Sequence, residues 1–355
     1  MKVLVIQIKM IGDVLASTVI CETIKRNHPE WEVHYLIQKN TFPVVENNPF
    51  IDKVIFFEPN DHKGLVNLYK FGKQLKKEKY ETIIDVYGKW DSILPAYFSG
   101  AKMIVGHYKW YTQFFYTDNV HSDSQCHGAA NAYRLLLVET ALKKKVDIIF
   151  PKIHLTETET SEAKKDINKN LATSKPIFMI SILGSGKNKS LPPKKMAETL
   201  DMITNTKDVQ MIFNYMPNQL EEVKAIYNLC ANATQEKINL NYYAKSLRDF
   251  MAIVSQCDAL VGNEGGTTNI SKALSIPTFT IFSPWIRKKS WDAMEDNISF
   301  FHIHLNDYYP EIYKEEHPKK LKKKTAELYD LLIVDLYKDK LLKFIKNIKS
   351  KTTIE

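Results

Sequence analysis

The chain has 355 residues, 44% of them hydrophobic and 25% charged, with a formal net charge of +8. That is enough material for two ordinary domains, the balance is the normal one for a soluble globular protein, and no apolar run approaches the length of a membrane span. The four cysteines, Cys21, Cys126, Cys230 and Cys257, are scattered without a CxxC pair, which argues against a disulfide framework or a structural zinc site and fits a reducing cytoplasm.

The opening MKVLVIQIKMIGDVL is too short to cross a bilayer and lacks a small-residue cleavage site. Residues 2–8 therefore read as a first strand and not as a signal peptide. A helix is predicted over 12–27, strands over 34–37 and 54–57, and a helix over 65–77. Buried strands follow at 82–86 and 103–105, then a helix over 127–143 with Ala130, Tyr133, Leu136, Leu137 and Ala141 at helical spacing. Residues 151–175 form a polar passage without a strand, and the domain boundary is placed there, the first domain covering 1–160. The rhythm then restarts, with strands over 177–182, 210–213, 237–240, 259–261 and 278–282 and helices over 193–203, 219–230 and 246–256. This second domain covers 161–320. Strands alternating with helices in both halves imply parallel sheets covered on both faces, two doubly wound α/β units.

Two features near the end have more than one reading. In FFHIHL, His302 and His304 alternate on a strand-like run; the spacing suits a metal, but hydrogen-bonded strand histidines are the commoner case. The tail over 321–355 is basic and helical, with Leu328, Leu331, Leu332, Asp335, Leu342, Ile345 and Ile348 near one stripe. It either packs back on the body or rests a basic amphipathic face on a membrane. Lysine clusters at 143–145, 287–289 and 319–324 favour anionic partners such as nucleotide phosphates, acidic glycolipid or an anionic membrane face. No nucleic-acid recognition motif accompanies them.

Candidate chemistry sits in the turns after strands, where open α/β sheets bind ligands. Asp13, just after the first strand, is placed to take a proton from an attacking hydroxyl, or else to stabilise a helix start. The turn over 85–92 offers Asp85, Tyr87, Lys89 and Trp90 to a sugar, or is an ordinary turn with a packed tryptophan. After the strand at 177–182, Gly184, Ser185 and Lys189 suit a diphosphate, although the P-loop pattern fails because Ser181 and Asn188 stand where it needs glycine and a hydroxyl residue. Gln219 opens a helix and could meet a ribose or base. Arg287, Lys288 and Lys289 could hold phosphate or an acidic acceptor, or be solvated surface. ALVGNEGGTTNISKALSIPTFTIFSP is the most informative stretch. Its turn places Glu264, Gly265, Gly266 and Asn269 at a helix start, where the carboxylate suits a sugar hydroxyl and the backbone admits phosphate.

Taken in order, these segments resemble glycosyltransferase family 9, the heptosyltransferase-like enzymes of lipopolysaccharide assembly. The Ile11-Gly12-Asp13 turn, Phe50-Ile51-Asp52-Lys53-Val54, the 85–92 turn, the loop around Ser185 and Lys189, 214–219, Ser246-Leu247-Arg248 and VGNEGGTTNISKALSIP carry the resemblance. It implies the GT-B architecture, two Rossmann-like domains facing each other across a cleft, and an inverting, metal-independent sugar transfer needing no cofactor beyond the nucleotide-sugar donor. It further implies Asp13 as general base, Ser185 and Lys189 on the donor's diphosphate, and Glu264, Gly265 and Gly266 at its sugar and phosphate end. A glycolipid or oligosaccharide acceptor, an ADP-heptose donor and a cytoplasmic setting, with contact to the inner face of the membrane left open, follow from the same likeness. The chain departs from the family where Glu264 replaces the usual Asp, Asn269 the usual His, Gly265 a Ser or Thr, Leu191 a Trp and Gln219 a frequent Glu. All lie in the donor-binding half, so a hexosyltransferase using another nucleotide sugar stays open. So do a non-catalytic sugar-nucleotide binder and a protein that docks through its tail.

Overall fold

The computed structural model describes residues 1–121, 129–171, 174–286, 288, 294–314 and 318–351. Its contacts divide the chain into one unit over Met1–His154 and a second over Leu155–Lys288 that continues from Met294.

The first unit runs β1 (Lys2–Ile6), α1 (Ile11–Asn27), β2 (Glu32–Ile37), β3 (Lys53–Phe56), α2 (Leu65–Lys77), β4 (Thr82–Asp85), α3 (Trp90–Ser99), β5 (Met103–His107), β6 (Asp118–Val120) and α4 (Ala129–Leu142). Its six-stranded sheet has the order β3-β2-β1-β4-β5-β6, with every pairing parallel. Successive side chains of β1 point to opposite faces. Leu4 and Ile6 join Leu68, Phe71, Leu75 and Ile93 in the core under α2 and α3. Val3 and Val5 are buried as well, as a sheet sandwiched between helices requires. Each such aliphatic side chain contributes about 1.5–3 kcal/mol of burial. The order reverses between β1 and β4, so the turns after these strands diverge and leave a crevice at the carboxyl edge.

The second unit begins with α5 (Glu157–Asn170), which lies inside the passage read from sequence as a boundary. A capping box starts it: Thr156 Oγ1 accepts from the Glu159 N–H at 3.2 Å, and Glu159 accepts from the Thr156 N–H at 2.7 Å. Then come β7 (Ile177–Ser181), α6 (Pro193–Thr206), β8 (Gln210–Phe213), α7 (Leu220–Tyr227), α8 (Asn232–Gln235), β9 (Ile238–Asn239), α9 (Leu247–Gln256), β10 (Ala259–Asn263), α10 (Gly266–Ala273), β11 (Thr278–Ile281) and β12 (Phe300–Ile303). The sheet order is β12-β11-β10-β7-β8-β9, again parallel throughout, and it reverses between β7 and β10.

The tail forms α11 (Pro318–Lys323), α12 (Thr325–Leu331) and α13 (Val334–Asn347). Leu328, Leu332, Tyr337, Leu341, Phe344, Ile345 and Ile348 lie in the core of the second unit, whereas Leu331 is exposed. Phe344 meets the rings of Phe279 and Phe301 at 5.6 Å each. The apolar stripe is therefore covered by protein and is not presented to a membrane. Among the described residues no helix is long and apolar enough to cross a bilayer. Cys21, Cys230 and Cys257 are buried free thiols; Cys126 and His127 lie outside the described residues.

Candidate active site

In the second unit, the turns after β7 and β10 are stitched together. Asn263, the last residue of β10, donates from Nδ2 to the carbonyls of Ser181 (3.0 Å) and Ile182 (2.9 Å) and accepts from the Leu191 N–H at 2.7 Å. Ser181 Oγ donates to the Asn263 carbonyl at 3.0 Å and lies 2.8 Å from Thr267 Oγ1. This close approach needs glycine: a Cβ on Gly262 would sit 2.4 Å from the Ser181 carbonyl oxygen, and one on Gly184 2.1 Å from that of Lys189. The Gly184 N–H is held by Ser190 Oγ at 3.0 Å, and a single 3-10 turn over Lys187–Lys189 brings the Lys189 side chain back toward β10. Lys189 Nζ stands 3.8 Å from Glu264 Oε2, a loose ion pair across the switch point. Gly265 leads into α10, whose first residue is Gly266, and Asn269 is half-buried one turn further on. Ser185 is exposed at the tip of its loop. Gln219 caps the next turn along, after β8, accepting the Met216 N–H at 2.9 Å. Gly184, Ser185, Lys189, Glu264, Gly265, Gly266 and Asn269 thus share the carboxyl edge of β7 and β10, with Gln219 beside them. Lysine, hydroxyl and backbone amide groups next to a carboxylate can grip a phosphorylated sugar at both ends.

In the first unit, Asp13 stands in the opening turn of α1 and lines a cavity of about 400 Å³ at the β1/β4 switch point, together with Tyr87, Lys89, His107, Tyr133 and Arg134. Its side chain is 34% exposed, and Oδ1 accepts from Arg134 Nη2 at 3.0 Å. Arg134 reaches in from α4, is itself buried, and donates through Nε to Ser17 Oγ at 2.8 Å. Ser17 in turn donates to the Asp13 carbonyl at 2.8 Å. Burial pulls the guanidinium below its usual range and Asp13 opposes that pull. Across the cavity, burial pushes the His107 imidazole down to about 4, with the cations of Arg134 and Lys109 adding to the effect. Asp85 points inward, accepting from the Gly88 N–H, Ser92 Oγ and Tyr116 Oη at 3.0, 2.9 and 2.8 Å, and burial raises its carboxyl above the usual value. It is a fastener of the turn, while Tyr87 and Lys89 are what the turn offers a ligand. Trp90 is half exposed: its ring meets Phe115 edge-on at 5.6 Å, while the buried side of α3 is supplied by Ile93, Leu94 and Ala96.

The family model for glycosyltransferase family 9 (heptosyltransferase) matches residues 68–322. The chain belongs to glycosyltransferase family 9. A lipopolysaccharide heptosyltransferase 1 of Campylobacter coli is 23% identical over 299 residues, covering 79% of this chain and 84% of that protein. A family 9 glycosyl transferase from Veillonella parvula DSM 2008 superposes with a TM-score of 0.74 at 18% identity, covering 93% of this chain and 97% of that one. The E. coli ADP-heptose lps heptosyltransferase II does so with 0.68 at 16% identity, covering 93% and 98%. The fold is that of the GT-B glycosyltransferases, and the family makes the chain a glycosyltransferase.

Within the family 9 pattern, the departures have visible consequences. Leu191, where a tryptophan is common, is buried in the core of the second unit and its N–H is bound by Asn263. Arg248 of the family-like Ser246-Leu247-Arg248 faces α5, where it pairs with Glu159 through two bonds, Nη2 to Oε2 at 2.9 Å, and holds that carboxyl down at about 2. Lys288 is tied to Glu295 and Asp307, each at 3.0 Å, so it is not an open phosphate ligand; Arg287 and Lys289 lie outside the described residues. His302 accepts from Lys272 Nζ at 2.6 Å, and His304 bonds the Ile286 carbonyl at 2.8 Å and the Asn306 N–H at 3.0 Å. Both are hydrogen-bonded, as the plainer reading of FFHIHL expected. Sequence reasoning missed Arg134 and His107. An arginine on the apolar side of a helix, next to Leu135 and near Leu137 and Val138, was the available sign.

Proposed function

We propose that this family 9 enzyme moves a heptose from an ADP-linked donor to a sugar hydroxyl of a lipopolysaccharide-type acceptor, inverting the anomeric carbon and using lysine charge in place of a divalent metal. The observation that carries the reading is Asp13: a carboxylate oriented by a buried arginine, opening into a cavity at the switch point of a doubly wound sheet. Asp13 takes the proton of the acceptor hydroxyl as its oxygen forms a bond to the anomeric carbon. The bond from that carbon to the diphosphate oxygen breaks on the opposite face, and the electron pair leaves with the nucleoside diphosphate. Lys189, Ser185 and the amides after Gly184 and Gly265 hold the growing negative charge. Glu264 and Asn269 meet the donor sugar, and Gln219 the nucleoside. The relatives named as lipopolysaccharide heptosyltransferases support the heptose donor and the acceptor class.

Asp13→Asn keeps the size of the side chain and removes the base. It should lower turnover by at least about 100-fold, the usual scale for losing a general base, with ADP affinity by calorimetry within about twofold of wild type. Undiminished turnover in that variant would remove the general-base role. Glu264, Asn269 and Gln219 differ from the family habit at the donor end, so the nucleotide is tested separately. A thermal-shift panel of ADP, UDP, GDP and CDP should show selective stabilisation by ADP; preference for UDP or GDP would move the assignment to hexose transfer.

A further inference from the structure

One exposed face of the first unit carries a continuous belt of aromatic rings. Tyr69 of α2 meets Phe98 of α3 edge-on at 4.9 Å, Phe98 meets Tyr97 at 5.5 Å, Tyr97 meets Phe115 at 5.3 Å, and Phe115 meets Trp90 at 5.6 Å. Around the belt stand large apolar side chains that the fold leaves in solvent: Leu65 at 72% and Val66 at 66% exposed on the first turn of α2, and Trp110 at 75% and Phe114 at 82% in the connection after β5. Scattered exposed apolar residues need no explanation, but a contiguous set this large marks a binding surface.

The charges around the belt say what covers it. The exposed face of α2 presents Lys70 and Lys73, the latter 5.3 Å from the Tyr69 ring, and α2 contains no Asp or Glu. Lys89 and Lys109 flank Trp90 and Trp110, while Asp91 is the one carboxylate of α3. A twofold contact with a second copy would set the lysines of α2, Lys89 and Lys109 against one another, with Asp91 alone on α2 and α3 to answer them. Tryptophan and tyrosine ringed by lysine suit the boundary of an anionic bilayer, where the rings sit at headgroup depth and each lysine meets negative surface potential. The patch is also continuous with the Asp13 cavity: Tyr87 and Lys89 line that cavity and lead directly into Trp90, and His107 leads into the segment bearing Trp110 and Phe114.

We propose that this aromatic and lysine face of the first unit docks the enzyme on an anionic phospholipid surface, beside the cavity that receives the acceptor. The proposal rests on the glycolipid-acceptor reading for its purpose, but its test needs neither donor nor acceptor. The full chain is sedimented with vesicles of phosphatidylcholine mixed with phosphatidylglycerol, and with vesicles of phosphatidylcholine alone. Wild type should partition to the mixed vesicles at least about tenfold more strongly, and salt should weaken the binding. The pairs Trp110→Ser with Phe114→Ser, and Lys70→Glu with Lys73→Glu, should each lower partitioning about tenfold or more. Because all these positions are exposed, each pair should melt within a few degrees of wild type and turn over a soluble, lipid-free acceptor at the wild-type rate. Binding that neither pair weakens, or no binding to anionic vesicles, would overturn the proposal. So would a concentration-dependent dimer that both pairs dissolve in the absence of lipid. If vesicle binding behaves as stated while no sugar is transferred, docking stands and the glycosyltransfer reading falls.

Discussion

At the scale of single residues, the informative feature is that Asp13 does not act alone. Its Oδ1 is held by Arg134, and Arg134 is held by Ser17, whose hydroxyl returns to the Asp13 carbonyl. The loop closes on itself, so the direction of the carboxylate is set by a buried guanidinium from a helix far along the chain. Asp13 was legible because a carboxylate after the first strand of a doubly wound fold occupies a known position. Arg134 was not, since its role depends on α1 and α4 lying side by side on one face of the sheet, a contact that local periodicity cannot register. We expect Arg134→Met to lower transfer by about 10–100-fold, the equivalent of one lost charge-assisted hydrogen bond. The KM for the donor should hold, because Arg134 is a positioning residue and the donor loops lie elsewhere. Arg134→Lys should recover only part of the rate, since an ammonium does not reproduce the fork that spans Asp13 and Ser17. Steady-state kcat and donor KM for both variants check this; full recovery by lysine would mean that charge alone, and not orientation, matters.

At the scale of elements, most strands and helices could be read directly, because parallel strands buried on both faces are nearly continuous apolar runs and the helices between them keep their period. What stayed hidden were elements with weak local signals. β6 is three residues long, DNV, and exists because β5 offers it an edge. α5 is so polar that only Thr156 and Glu159 announce it, and it is fixed by the tertiary pair of Glu159 with Arg248. The alternating histidines of FFHIHL were seen, but their use follows from what β12 packs against. Burial pushes His304 down to about 4 and His302 to about 2, the latter with Lys272 and Lys288 adding to the effect. Both fold as neutral rings, whereas in the unfolded chain each takes up a proton below its ordinary value near 6.5. The unfolded state therefore binds more protons in acid. The stabilisation is complete above about pH 6.5 and is lost as pH falls toward the folded values, by up to about 1.4 kcal/mol per pH unit for each ring. Urea midpoints should thus fall between pH 7 and pH 5. His304→Gln, which retains a donor for the Ile286 carbonyl and an acceptor for the Asn306 N–H, should flatten part of that slope; an unchanged slope would assign the acid sensitivity to other groups.

At the scale of the whole molecule, two units repeat one plan, and each sets its polar residues where its strand order reverses. The repeat is not symmetrical in how the cores are closed. The first unit is completed by α4, which follows its last strand in sequence. The core of the second unit is completed by α12 and α13, contributed by the far end of the chain. Tyr337, Leu341, Phe344 and Ile345 are fully buried there, Tyr337 Oη lies 2.9 Å from Thr199 Oγ1, and the Lys351 N–H is bound by Asp258 Oδ1 at 2.6 Å. The lysines of the tail line the solvent side of helices whose inner side is core, so their charge informs on solubility and long-range attraction to anions more than on docking. Two outcomes separate a tail that belongs to the core from one that is an appendage. Phe344→Ala should cost about 3–5 kcal/mol, as large-to-small changes in packed aromatic cores do, with the loss visible as a lower urea midpoint. Lys338→Gln with Lys346→Gln, both exposed on α13, should leave that midpoint nearly unmoved. Truncation before Val334 should leave the second unit unable to bind ADP even though Lys189, Ser185 and Glu264 all remain. A truncated chain that kept wild-type ADP affinity and melting temperature would show that the donor loops are held without α13, and the closing role assigned to the tail would have to be given up.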